Sequence, residues 1–136
     1  MTLPAGINKP LRDVAFADGL FVAVGDGGAV QTSPDFGNNW TKRQVALLAG
    51  ENFTDVVFGA NLFIAVTNKG GVWTSPNGTA WTKRKASSPK GLNRIITVGP
   101  QIIALGEGGL EAYSFGGLGW SETEIGSSQN VKDAVF

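Results

Sequence analysis

An all-β repeat fold, made from copies of one four-stranded antiparallel unit, follows from three features of this sequence. A segment of about 40 residues recurs three times and then begins a fourth. Each copy reads as four short β-rich runs separated by turn residues. Glycine, at 20 of 136 residues, is spread between those runs, as many tight turns require.

The first unit, LRDVAFADGLFVAVGDGGAVQTSPDFGNNWTKRQ, runs from Leu11 to Gln44. The second, FTDVVFGANLFIAVTNKGGVWTSPNGTAWTKRK, runs from Phe53 to Lys85. The third and weaker, LNRIITVGPQIIALGEGGLEAYSFGGLGWSETE, runs from Leu92 to Glu124, and VKDAVF opens a fourth at Val131–Phe136. The unit starts are 42, 39 and 39 residues apart, and Trp40, Trp81 and Trp120 are 41 and 39 apart.

In the first unit the spacing predicts strands over Leu11–Phe16, Leu20–Val24, Ala29–Ser33 and Trp40–Val45. The second run, Phe21-Val22-Ala23-Val24, returns as Phe63-Ile64-Ala65-Val66 and as Ile102-Ile103-Ala104-Leu105. A continuous apolar run of this kind reads as a strand buried on both faces. Gly-rich turns follow at 25–28, 67–71 and 106–109. No segment holds a helical period. Four strands at this period are the signature of β-propeller blades, here residues 11–45, 53–86 and 92–125, with 131–136 starting or completing another. A β-sandwich also uses short strands, but nothing in it requires self-similarity every 40 residues or so.

The third and fourth strands of the first unit are joined by Ser33-Pro34-Asp35-Phe36-Gly37-Asn38-Asn39-Trp40. The second unit has Ser75-Pro76-Asn77-Gly78-Thr79-Ala80-Trp81, one residue shorter and with Asn for Asp. The third has Ser114-Phe115-Gly116-Gly117-Leu118-Gly119-Trp120 and no acid. This pattern resembles the Asp-box, or BNR, repeats of sialidase-like propellers: Ser/Thr, any, Asp, any, Gly, any two, aromatic. The resemblance implies a peripheral structural turn. An Asp or Asn side chain there accepts N–H bonds from its own turn, Gly supplies a positive φ, and Trp packs into the blade with its indole N–H bonded.

Sialidases of this resemblance carry an arginine triad and a Tyr nucleophile paired with a Glu. Only Arg12, Arg43, Arg84 and Arg94 occur here, and Arg43 and Arg84 are repeat-equivalent on outer strands. Tyr113 replaces Thr32 and Thr74 on a third strand, and no motif sets a Glu beside it. Those catalytic residues do not carry over. The chain also lacks both Cys and His, which excludes thiolate chemistry, disulfides and Ser-His-Asp arrangements. The expectation is a non-enzymatic chain with no catalytic residue, metal or cofactor.

Lys plus Arg and Asp plus Glu are equal at 11, which speaks against a nucleic-acid or anionic-membrane partner. No apolar run approaches the ~18 residues of a membrane span, and the N-terminus shows no secretory pattern. The compartment stays open. Charge is unevenly placed: residues 1–41 carry two basic and four acidic groups, 42–94 eight and two, 95–136 one and five.

Rings of this kind typically need about four to eight blades, so three must be completed from elsewhere. Two copies give six, and a homodimer is the expected partner. Ligands are expected at the loops between second and third strands, where Asp26, Asn68 and Glu107 are equivalent and Lys69 is a variable neighbour. Asp-Gly and Glu-Gly are also ordinary turn pairs. Trp73, whose counterparts are Gln31 and Ala112, is expected to stack on a sugar, to anchor a protein partner, or to fill a gap between blades or subunits. The expected function is binding or assembly through protein–protein contact. The alternatives are a lectin-like glycan binder and a phage tail or virion component, because SPNGTAWTK-type units also resemble repeats of such proteins.

Overall fold

The structure, a computed structural model, describes residues 10–124, so the expected terminal strand at 131–136 lies outside the described residues. Among the described residues, twelve strands form three separate antiparallel sheets of four, each in sequence order. The first holds β1 (Leu11–Ala17), β2 (Leu20–Gly25), β3 (Ala29–Ser33) and β4 (Thr41–Gln44). The second holds β5 (Phe53–Gly59), β6 (Leu62–Thr67), β7 (Val72–Ser75) and β8 (Thr82–Lys85). The third holds β9 (Leu92–Val98), β10 (Gln101–Gly106), β11 (Leu110–Phe115) and β12 (Ser121–Glu124). The all-β propeller architecture expected from the repeat is present.

Local chemistry sets these boundaries. Asp18 and Gly19 both take positive φ between β1 and β2, as do Ala60 and Asn61 between β5 and β6. Two successive positive φ values make the hairpin turn whose twist matches its flanking strands. Each first strand carries a bulge, at Arg12, Thr54 and Asn93, where the register shifts against its neighbour. A bulge re-aims its side chain out of the regular pleat.

The sheets pack face to face. Val22, Val24 and Val30 of the first meet Phe53, Val56 and Phe63 of the second in one buried cluster. Ile64, Val66 and Val72 meet Leu92, Ile95, Ile102 and Ala112 in another. The middle strands β2, β6 and β10 are buried almost throughout. The fourth strands are largely exposed. First strands lie beside one another, β1 against β5 and β5 against β9, as inner strands of successive blades do.

Candidate functional site

The turns between third and fourth strands repeat one hydrogen-bond plan. Ser33 Oγ accepts from Gly37 N at 2.8 Å, Ser75 Oγ from Gly78 N at 2.8 Å, and Ser114 Oγ from Gly117 N at 3.0 Å. The indole of Trp40 donates to Gly37 O, that of Trp81 to Gly78 O, and that of Trp120 to Gly117 O, at 3.0, 3.0 and 2.9 Å. Asp35 accepts from the side chain and the backbone of Asn39, and these bonds, with a lesser one from Ser33, hold its carboxyl below the ordinary value against the opposing effect of burial. Asn77 Oδ1 accepts from Thr79 N and Ala80 N. In the third turn no side chain fills that place. Gly78 of the second turn presses on Val22 and Thr32 of the first sheet, and Gly117 of the third presses on Leu62 and Ile64 of the second.

The loops between second and third strands carry a second repeated clasp. Asp26 N donates to Pro10 O, Asn68 N to Asn52 O, and Glu107 N to Gly91 O, at 2.9, 3.0 and 3.0 Å. The side chains then return the bond: Asn68 Oδ1 accepts from Asn52 N, and Glu107 Oε1 from Gly91 N, both at 2.8 Å. Pro10 has no N–H to offer. Asp26 instead takes the bulge residue Arg12 in a two-pronged pair of 2.7 and 3.0 Å, whose hydrogen bonds hold its carboxyl below the ordinary value. An open cleft of about 330 Å³ lies beside this pair, lined by Arg12, Asp26, Asn52, Phe53, Thr54 and Asn68.

The other residues singled out in the sequence lie apart. Glu107 is exposed in the third blade's own loop. Lys69 reaches Ala49 O at 3.0 Å. Trp73 packs half-buried against the core between first and second sheets, with Lys83 Nζ 5.9 Å from its ring centroid.

The sequence reading passed over two further groups. Glu51 is buried, and accepts from Thr67 Oγ1, Ser87 Oγ and Leu48 N at 2.6, 3.0 and 3.1 Å. Burial works to raise its carboxyl, but these bonds and the charge of Lys83 hold it below the ordinary value. The second group is the equivalent pair Asp13 and Asp55 on inner strands. Asp13 Oδ2 accepts from Val56 N at 3.0 Å and Asp55 Oδ2 from Ile95 N at 2.8 Å, so each carboxyl stitches its blade to the next. Asp55 is pushed up to about 7 by burial first and then by its hydrogen bond to Asp13 and that neighbour's charge. The Ile95 N–H and Arg94 pull the other way. Their matching positions in LRD and FTD were the available signal.

Among the described residues, the outermost faces of the first and third blades are uncovered. Val14 is 46 % exposed, whereas its counterparts Val56 and Ile95, covered by a preceding blade, are at 3 % and 2 %. At the other end Tyr113 is 40 % exposed, whereas Thr32 and Thr74 are at 4 % and 1 %. Phe16 and Phe36 extend the first open face and Val98 the second. Among the described residues no helix is long and apolar enough to cross a membrane, and no three acidic side chains gather to hold a metal ion.

Three four-stranded blades stacked about adjacent inner strands define a β-propeller domain. The chain belongs to the DUF6242 beta propeller domain family, which matches residues 5–134. No curated protein matches it. Among solved structures it is similar to YCF48 bound to D1 peptide, with TM-score 0.72, 14 % identity, 98 % of this chain and 46 % of that one. It is also similar to YCF48 from Cyanidioschyzon merolae, with TM-score 0.69, 20 % identity, 91 % of this chain and 40 % of that one. An ancestral GH74 enzyme matches with TM-score 0.70 and 18 % identity, over 96 % of this chain and 20 % of that one. The chain thus spans less than half the length of each of these structures. At these identities the likeness concerns the fold.

Proposed function

We propose that this chain is a non-enzymatic binding and assembly module, and that a second copy closes its three blades into a six-blade ring. The observation that carries this reading is the exposure of Val14 and Tyr113 at positions that are buried wherever a neighbouring blade exists. Contiguous apolar surface of this kind marks an interaction site. Light scattering after size exclusion tests it. A mass near twice 14.2 kDa supports the ring, and a monomer at every concentration overturns it.

Two features support a non-enzymatic role. Asp13 and Asp55 hydrogen-bond to each other and each holds a backbone N–H, so the pair is closer than the ~5 Å that separates two carboxyls working on a sugar. Tyr113 stands on the open face of the third blade, opposite Ser121. The Ser, Asp or Asn, Gly and Trp of the three outer turns act as Asp-box-like structural groups on this reading.

A second reading concerns the cleft at Arg12, Asp26, Asn52 and Asn68. It presents charge and amides on the loop face, which suits a peptide or a glycan. A propeller of the same fold bound to a peptide supports the peptide. Peptide and glycan arrays probed with the wild-type chain and with Asn52→Ala check this. Hits lost in the variant support the cleft, and blank arrays overturn it.

A further inference from the structure

The chain departs from its own repeat on both open faces, and these departures complement each other. Inside the chain, the seam between second and third blades is closed at its rim by Lys85, whose Nζ lies 2.7 Å from Glu122. Counting from the tryptophans, Lys85 corresponds to Glu124 in the third blade, and Glu122 corresponds to Lys42 in the first. The same two positions, read from the last blade onto a first blade, therefore hold Glu124 and Lys42. The signs are reversed and still opposite.

The inner rim repeats this. Asp13, Asp55 and Arg94 are equivalent residues on β1, β5 and β9, and neighbours among them sit side by side at the inner strands. Asp13 beside Asp55 is a pair of acids joined by a hydrogen bond, and Asp55 beside Arg94 is an opposite-charge contact. The next step around the ring would set Arg94 beside an Asp13, an opposite-charge contact. Between the two rims, aromatic groups replace small ones. The turn glycine of each later blade sits on the preceding blade, Gly78 against Thr32 for one. At the ends the corresponding places are held by Tyr113 and by the longer first turn, which adds Phe36.

Resting on the ring reading above, we propose that the open face of the first blade of one copy seats on the open face of the third blade of another. In that seam Lys42 lies opposite Glu124, Asp13 beside Arg94, and Phe36 against Tyr113. The partner is a second copy of this chain, joined head to tail at two equivalent seams. Opposed charges at a rim fix register and exclude wrong partners, while the apolar centre supplies affinity.

Sedimentation velocity across a concentration series tests the pairing on the wild-type chain, Lys42→Glu, Glu124→Lys and an equal mixture of the two variants. Each variant alone puts like charges at both seams and is expected to dimerise about tenfold more weakly. The mixture puts opposite charges at both seams and is expected to return to wild-type affinity. Circular dichroism checks that each variant keeps its strands. Recovery in the mixture separates a seam effect from loss of the Glu124 pair with Lys90 inside the chain. A wild-type dimer with variants that assemble as tightly as it does overturns this seam and leaves the ring standing. A wild-type monomer at all concentrations overturns both.

Discussion

Gly78 and Gly116 share a backbone conformation, with φ of +75° and +82°, and differ in what surrounds them. A Cβ at Gly78 would lie 2.8 Å from a Val22 methyl and 3.1 Å from a Thr32 methyl, whereas at Gly116 it would meet nothing within 4 Å. Gly116→Ala is expected to cost about 1–2 kcal/mol for the left-handed backbone alone. Gly78→Ala adds a displaced blade contact and is expected to unfold at clearly lower urea than Gly116→Ala. Glu51 makes the opposite case, a charge whose burial is fully answered by hydrogen bonds. Glu51→Ala strands the hydroxyls of Thr67 and Ser87 and the N–H of Leu48, and is expected to cost about 3 kcal/mol by urea titration. Glu51 was not legible in the sequence. It lies in a connecting loop, and Thr67, which bonds it, stands where the other units have Gly25 and Gly106.

Strands were more legible than the bonds between them. Alternation and apolar runs report only which faces are buried, and the runs at Phe21, Phe63 and Ile102 gave the middle strand of each blade for that reason. The outer strand of the first unit is shorter than Trp40–Val45, because Trp40 belongs to the turn that holds its indole. Seam contacts join residues about 40 apart, which no local pattern encodes. The Asp13–Asp55 stitch is one of these, and it makes stability depend on pH. Asp55 is raised from 3.8 to about 7, so between roughly pH 4 and 7 the folded chain keeps a proton that the unfolded chain has released. That stabilising difference is lost as pH rises through 7. The charged groups around it are Asp13 on β1 and Arg94 on β9. Asp26, Asp35 and Glu51 are lowered and act in the other sense, stabilising above their usual values and failing as pH drops below them. The urea midpoint is expected to be higher at pH 5 than at pH 8, and Asp55→Asn is expected to shrink that difference. Equal midpoints in the wild-type chain would sink the argument.

Over the whole molecule, stability is expected to be greatest in the middle. Each blade touches only its neighbours, so a blade covered on both faces is held more firmly than one covered on one face. Backbone amides of β6 are therefore expected to exchange with deuterium more slowly than those of β2 and β10 in the isolated chain, and a second copy covering both open faces, as proposed above, would level the three. The repeat period made the blade architecture readable before any coordinates. The charge contrast between the two ends was readable, but which residues line the open faces was not, because Val14 is an ordinary strand valine until its buried counterparts are seen beside it. The clasp at the second loop carries a different lesson, which concerns freedom to vary. Asn68 and Glu107 are held in place by a peptide hydrogen that their own blade supplies, and exchanging either removes a bond the fold uses. Pro10 withholds that hydrogen from Asp26. Position 26 is thereby released from upkeep of the backbone, and together with Arg12 it is where a new specificity can be written at least expense to folding.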